Sequence, residues 1–218
     1  MKAVIFDIDG TMVPNTPYHE QAFIELGRRH QIPITAKDYQ QRFHARTNKE
    51  IIKDMFGPET LEQKILELSY EKEQIYREIY SSWLSEVPGL KTLIADLRAN
   101  KIKCCAASNG PRENVQMVIK LLDLSQQLEF ALSYEDVTRG KPAPDLFLES
   151  AHRMGVAPQD CLVIEDSLTG FAAARSAGMK FIAVRSHCSG DSVLTATDAL
   201  LVIEDFTGLS FSKLIQTW

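Results

Sequence analysis

The sequence predicts an α/β protein: a doubly wound parallel sheet wrapped by helices and interrupted once by an all-helical module. Three observations carry that expectation. Short apolar, β-rich runs recur along the chain, and they are continuous rather than alternating, as expected of strands covered on both faces. Helix-like stretches separate most of them. After the first run, residues 15–84 show helical periodicity with no convincing strand.

The first strand is read in KAVIFDIDGT, residues 2–11, where apolar side chains run up to Asp7. The helical module follows. Its longest stretch spans Pro58 to Leu84, with Leu61, Ile65, Leu68, Ile75 and Ile79 recurring as a packing stripe, while Pro33, Thr35 as an N-cap, and Gly57-Pro58 mark helix boundaries. Further strands are predicted at 102–107, 130–133, 161–164, 180–184 and 199–203, with crossover helices at 89–99, 111–122, 144–154 and 167–177. The expected organisation is a sheet core from 1–14 and 86–218, and a helical module from 15–85. Both junctions contain proline.

A chain of 218 residues that is 44% hydrophobic can bury the core of one large domain or of a domain with a sizeable insertion. Its formal charge of -5 argues against nucleic acid or an anionic membrane as partner, since both call for excess Lys and Arg. Cys104, Cys105, Cys161 and Cys188 show neither a CxxC pair nor a Cys/His metal spacing, and are read as reduced structural thiols. Asp7 breaks the N-terminal apolar run before a signal-peptide core is complete, and no stretch approaches a membrane span. The expected setting is the cytoplasm, as a monomer or small homo-oligomer.

The chemistry is carried by strand ends. Side chains at i and i+2 of a strand share a face, so Asp7 and Asp9 can share a site while Ile8 packs inward. In open α/β sheets the ligand crevice lies beyond the carboxyl ends of the strands. Three more strand ends point to the same edge: Ser108-Asn109-Gly110 before a helix, Lys141 in the stiff loop Arg139-Gly140-Lys141-Pro142-Ala143-Pro144, and Glu165-Asp166-Ser167 before another helix. Four carboxylates within a few ångströms repel by about 4 kcal/mol per close pair at an effective dielectric near 20, so something positive must join them. Oxygen ligands without His or Cys point to a hard cation such as Mg²⁺, and the combination with Lys141 suits a phosphoryl group.

The set Asp7-Ile8-Asp9-Gly10-Thr11, Ser108-Asn109, Lys141-Pro142-Ala143-Pro144 and Glu165-Asp166-Ser167 resembles the four motifs of the haloacid dehalogenase (HAD) superfamily, and in order and spacing the β-phosphoglucomutase-like sugar phosphatase branch. The resemblance implies a Rossmann-like core with an inserted helical cap, which would exclude water during the reaction and open to release product. It implies that Asp7 attacks phosphorus and forms an aspartyl-phosphate, while Asp9 protonates the leaving oxygen and then deprotonates water. Asp7, the Asp9 carbonyl and Asp166 would hold Mg²⁺, with Glu165 beside them. Ser108 and Asn109 would hydrogen-bond the phosphoryl oxygens, Thr11 would belong to the phosphate site, and Lys141 would neutralise developing charge. His19 would reach the crevice from the first inserted helix. Arg46 and Lys72 are candidate cap cations for a small phosphorylated metabolite.

Several positions depart from the branch. Pro14 stands where Asp is common, Ala45 where Gly is frequent, and Asn48 aligns with an Arg that the mutases use for substrate phosphate. The leading expectation is a Mg²⁺-dependent phosphatase; a β-phosphoglucomutase-like phosphomutase is the alternative within enzymes. A phospho-acceptor signalling and binding module is the alternative from another class, but the long insertion and Asp9 as a second acid suit it less. A dehalogenase would lack the metal-binding acids.

Overall fold

The computed structural model describes residues 1–43, 46–185 and 198–218; Ala45 and Cys188 lie outside the described residues. In chain order, strand β1 (Ala3–Phe6) is followed by helices α1 (Thr16–Arg29), α2 (Ala36–Asp38), α3 (Asn48–Phe56) and α4 (Glu62–Tyr80). Then come α5 (Leu90–Ala99), β2 (Lys103–Ala107), α6 (Arg112–Leu121), β3 (Ala131–Leu132), α7 (Asp145–Met154), β4 (Cys161–Glu165), α8 (Leu168–Ser176), β5 (Lys180–Val184), β6 (Val202–Ile203) and α9 (Phe211–Thr217). The chain divides into two compact units, Met1–Pro14 with Leu84–Trp218, and Asn15–Trp83.

The first unit holds a six-stranded parallel sheet in the order β3-β2-β1-β4-β5-β6. Every residue of β1 is buried, because the pleat sends Ala3 and Ile5 to one layer and Val4 and Phe6 to the other. On the first layer they meet Leu146 and Phe147 of α7 and Phe171 and Ala174 of α8. On the second, Phe6 meets Phe206 edge to face with ring centroids 6.2 Å apart. Helix α5 buries Leu90, Leu93, Ile94 and Leu97, an i, i+3, i+4, i+7 stripe. Each such fully buried side chain contributes about 1.5–3 kcal/mol of transfer free energy. Cys104, Cys105 and Cys161 are free and buried, and burial pushes their thiols up, that of Cys161 to about 11.

The second unit packs α1 and α3 against α4. Thr35 and Thr47 cap α2 and α3, each in a reciprocal box with the acid three residues on, Asp38 and Glu50. The long helix starts at Glu62 rather than Pro58. This corrects the reading of Leu61 as packing: it is the extended N-cap residue, lies before the first helical turn, and is 76% exposed. No helix among the described residues is long and apolar enough to cross a membrane.

Candidate active site

Strand order places the site. The chain leaves β1 for β2 on one side and reaches β4 on the other, so the carboxyl ends of these three strands lie side by side where the winding reverses. The Asp7 N–H donates to the Ile164 carbonyl at 2.9 Å, which extends the β1–β4 ladder by one residue and fixes the Asp7 side chain at the sheet edge. Beyond it the chain turns sharply. The Met12 and Val13 N–H groups return to the Ile8 carbonyl, so Asp9 sits in a turn rather than on a strand. Gly10 makes the turn at φ +85°, and a Cβ there would lie 2.1 Å from Asp166 Oδ2. Only glycine lets that carboxylate approach the backbone so closely.

From the end of β2, the Ser108 hydroxyl donates to Asp9 Oδ2 at 3.0 Å and accepts from the Gly110 N–H at 2.8 Å. From the loop before α7, the Lys141 ammonium donates to Asp7 Oδ1 at 2.5 Å, the Ala107 carbonyl at 3.0 Å and Glu165 Oε1 at 3.3 Å. Its main chain is held as well: the Lys141 N–H donates to Asn109 Oδ1 at 2.8 Å, and Asn109 Nδ2 donates to the Lys141 carbonyl at 3.0 Å. Asn109 is thus engaged with the lysine, where the sequence suggested phosphoryl oxygens.

From the end of β4, Glu165 turns into the protein. Its Oε2 accepts from the Asp166 N–H at 2.7 Å, and its Oε1 from the Ser167 hydroxyl at 3.0 Å. Ser167 in turn caps α8 by accepting from the Gly170 N–H at 3.1 Å. Sequence reasoning assigned Ser167 no role of its own; its place immediately before an apolar helix was the available signal. Thr11 is fully buried, with its hydroxyl 3.5 Å from Asp166 Oδ1 rather than aimed at open space.

The electrostatics are unbalanced. Burial first, and then Glu165, push the Asp7 carboxyl up to about 8 against the pull of Lys141. Burial alone would lower the Lys141 ammonium, but Asp7 and Glu165 outweigh it and hold it above its ordinary value. Asp7 rises because burial and the neighbouring Glu165 charge together outweigh the ammonium. Oxygens of Asp7, Glu165 and Asp166 lie within 4.8 Å of one another, the group among the described residues that could hold a metal ion. Three buried carboxylates, an all-oxygen donor set and one ammonium fit a hard divalent cation.

The remaining candidates belong to the helical unit. The ring of His19 stacks on Tyr76 with centroids 4.0 Å apart, and its Nδ1 accepts from Lys72 at 2.7 Å. Lys72 is 2% exposed, lies 2.9 Å from Glu73 Oε1 and sits over the Phe23 ring. That corrects the reading of Lys72 as a cation offered to substrate: its charge is used inside the unit. Asn48 donates to the same Glu73 at 2.7 Å. Arg46 bonds Asp54 and the Arg42 carbonyl, each at 2.8 Å.

A family model described as haloacid dehalogenase-like hydrolase matches residues 1–178. The phosphorylated carbohydrates phosphatase of Thermotoga maritima is 30% identical over 204 residues, covering 93% of this chain and 94% of that protein. The beta-phosphoglucomutase of Bacillus subtilis is 29% identical over 225 residues, covering 100% and 96%. Among solved structures, a HAD hydrolase of family IA, variant 3, from Entamoeba histolytica superposes with a TM-score of 0.91 at 27% identity, covering 100% and 99%. A match that spans β1 through α8, and so takes in the strand ends that carry Asp7, Asp9, Glu165 and Asp166, makes this chain a member of the haloacid dehalogenase-like hydrolases.

Proposed function

We propose that the chain is a Mg²⁺-dependent phosphatase that cleaves phosphoric monoesters of small metabolites, sugar phosphates foremost, through an aspartyl-phosphate on Asp7. The observation that carries this reading is the Lys141 contact on Asp7 Oδ1: pinning one carboxylate oxygen leaves the other to attack phosphorus. Asp7, Asp166 and the Asp9 carbonyl, with Glu165 beside them, would hold Mg²⁺, which would supply positive charge against the phosphoryl oxygens.

The chain's own groups do the rest. An Asp7 oxygen forms the bond to phosphorus as the ester oxygen departs, and Asp9 gives that oxygen its proton. Asp9, now ionised, accepts a proton from the incoming water, which cleaves the acyl-phosphate, frees inorganic phosphate and restores Asp7. The Ser108 hydroxyl, held beside Asp9 by the Gly110 N–H, would donate to the transferred group. Lys141 offsets the negative charge that gathers during transfer.

The name of the Thermotoga maritima relative supports phosphorylated carbohydrates as the substrate class. Likeness to the Bacillus subtilis beta-phosphoglucomutase along the whole chain supports a second reading, in which the phosphoryl group passes to a second sugar hydroxyl instead of water. Both are tested by incubating the protein with p-nitrophenyl phosphate and a panel of phosphorylated metabolites, with Mg²⁺ and with EDTA. Steady phosphate release that EDTA abolishes supports the phosphatase. Isomer formation without phosphate release moves the assignment to the mutase, and no turnover under any condition overturns both.

A further inference from the structure

We infer that Asn109 is a positioning residue that acts through Lys141, holding the lysine's main chain so that its ammonium stays on Asp7. This inference rests on the phosphatase reading above for its kinetic consequence. Lys141 has no regular element of its own: it lies between β3 and α7, with Thr138, Arg139 and Pro142 exposed. A turn ties Gly140 to Ala143 at 3.0 Å, and Arg139 pairs with Asp145 at the surface. Neither fixes the height of the loop above the sheet.

The Asn109 amide does. Its oxygen accepts the Lys141 N–H and its nitrogen donates to the Lys141 carbonyl, a paired contact that hangs the loop from the end of β2. The same strand end supplies the Ala107 carbonyl to the lysine's ammonium, so main chain and side chain of Lys141 are both referenced to β2. The amide oxygen and one of its two amide N–H groups are used on the loop, so rotating the amide away would release Lys141.

Gly140 gives the contact its room. A Cβ there would stand 2.6 Å from Asn109 Oδ1, the far end of a side chain that can swing away. Gly140→Ala therefore displaces the amide while leaving Asn109 in the chain. Because a misplacement of about 1 Å in a reacting group costs roughly a hundredfold in rate, loss of the clamp should be visible in kcat.

The test compares Asn109→Ala and Gly140→Ala, each alone and with Lys141→Ala, by kcat and KM and by hydrogen exchange of the 138–144 peptide in the resting protein. Each single variant should lower kcat roughly ten- to hundredfold with KM little changed. In the Lys141→Ala background neither should lower it further. Exchange at the loop should speed up about tenfold in both. A full additional loss in the Lys141→Ala background would show that Asn109 acts on substrate directly and overturn the inference, as would unchanged exchange. If the unaltered protein releases no phosphate from any ester, the phosphatase reading fails, and the exchange measurement still decides the clamp.

Discussion

The ammonium of Lys141 sits 2.5 Å from Asp7 Oδ1 and 3.3 Å from Glu165 Oε1, so one cation spans acids delivered by two adjacent strands, β1 and β4. Removing it leaves buried carboxylates facing each other with no protein cation between them. Lys141→Ala should lower kcat by roughly 10²–10³-fold, the scale of a lost oxyanion donor at about 2.7–4 kcal/mol. Steady-state kinetics at saturating Mg²⁺ checks this; a rate within a few fold of the unaltered protein would mean another group supplies the charge.

In the proposed mechanism Asp9 moves protons in both half-reactions; Ser108 donates to its Oδ2 at 3.0 Å. The two halves can be separated by the leaving group. p-Nitrophenolate departs with little help from an acid, whereas water attack on the acyl-phosphate still needs a base. Asp9→Asn should therefore keep a stoichiometric burst of p-nitrophenol and lose steady turnover by about 10²–10⁴-fold. Rapid-quench kinetics reads both phases, and loss of the burst would place Asp9 elsewhere in the mechanism.

How much of this was legible in the sequence follows from where each residue sits. The strands of the core were readable because fully covered strands need unbroken apolar runs, and Asp7, Ser108 and Glu165-Asp166 stood out as polar residues at the ends of such runs. Contacts made through main chain left no such trace: nothing in the residue types says that Asn109 grips the Lys141 backbone or that the Ala107 carbonyl meets its ammonium. The reading of Lys72 as a cap cation rests on a charge in a helical module, and residue types alone do not show that Glu73, His19 and the Phe23 ring make a buried ammonium tolerable there. The seven-residue helix α9, capped by Ser210, was too short to give a periodic signal.

The approach of Asp166 to the Gly10 backbone leaves no space for a side chain. Gly10→Ala adds a Cβ at φ +85° and 2.1 Å from Asp166 Oδ2, so the acid must leave its present place. The Mg²⁺ concentration for half-maximal activity should rise at least tenfold, with a loss of about 1–3 kcal/mol in stability from backbone strain. A Mg²⁺ titration of activity together with thermal unfolding tests this, and an unshifted titration would separate Asp166 from metal binding.

In the helical unit, burial by itself would raise the Glu73 carboxyl, but the Lys72 charge and hydrogen bonds from Lys72 and Asn48 hold the group down at about 2. Its folded value lies below its unfolded one, so its stabilisation is present above about pH 4.5 and is lost as pH falls toward 2. Glu73→Gln leaves the Lys72 ammonium buried without its carboxylate, which should cost about 3–5 kcal/mol at pH 7. The gap between variant and unaltered protein should then close between about pH 4.5 and 2, as Glu73 takes up its proton. Thermal unfolding followed across that range checks the sign, and a gap that widens on acidification would contradict the pairing.

The central claim, that Asp7 becomes covalently phosphorylated, is tested most directly by quenching the Asp9→Asn variant during turnover in acid and mapping the modified peptide by mass spectrometry. The mass of one phosphoryl group on the peptide holding Asp7, absent when Asp7→Asn is added, is the expected result. A phosphoryl group on a different residue, or none on a protein that nevertheless shows the p-nitrophenol burst, would contradict it.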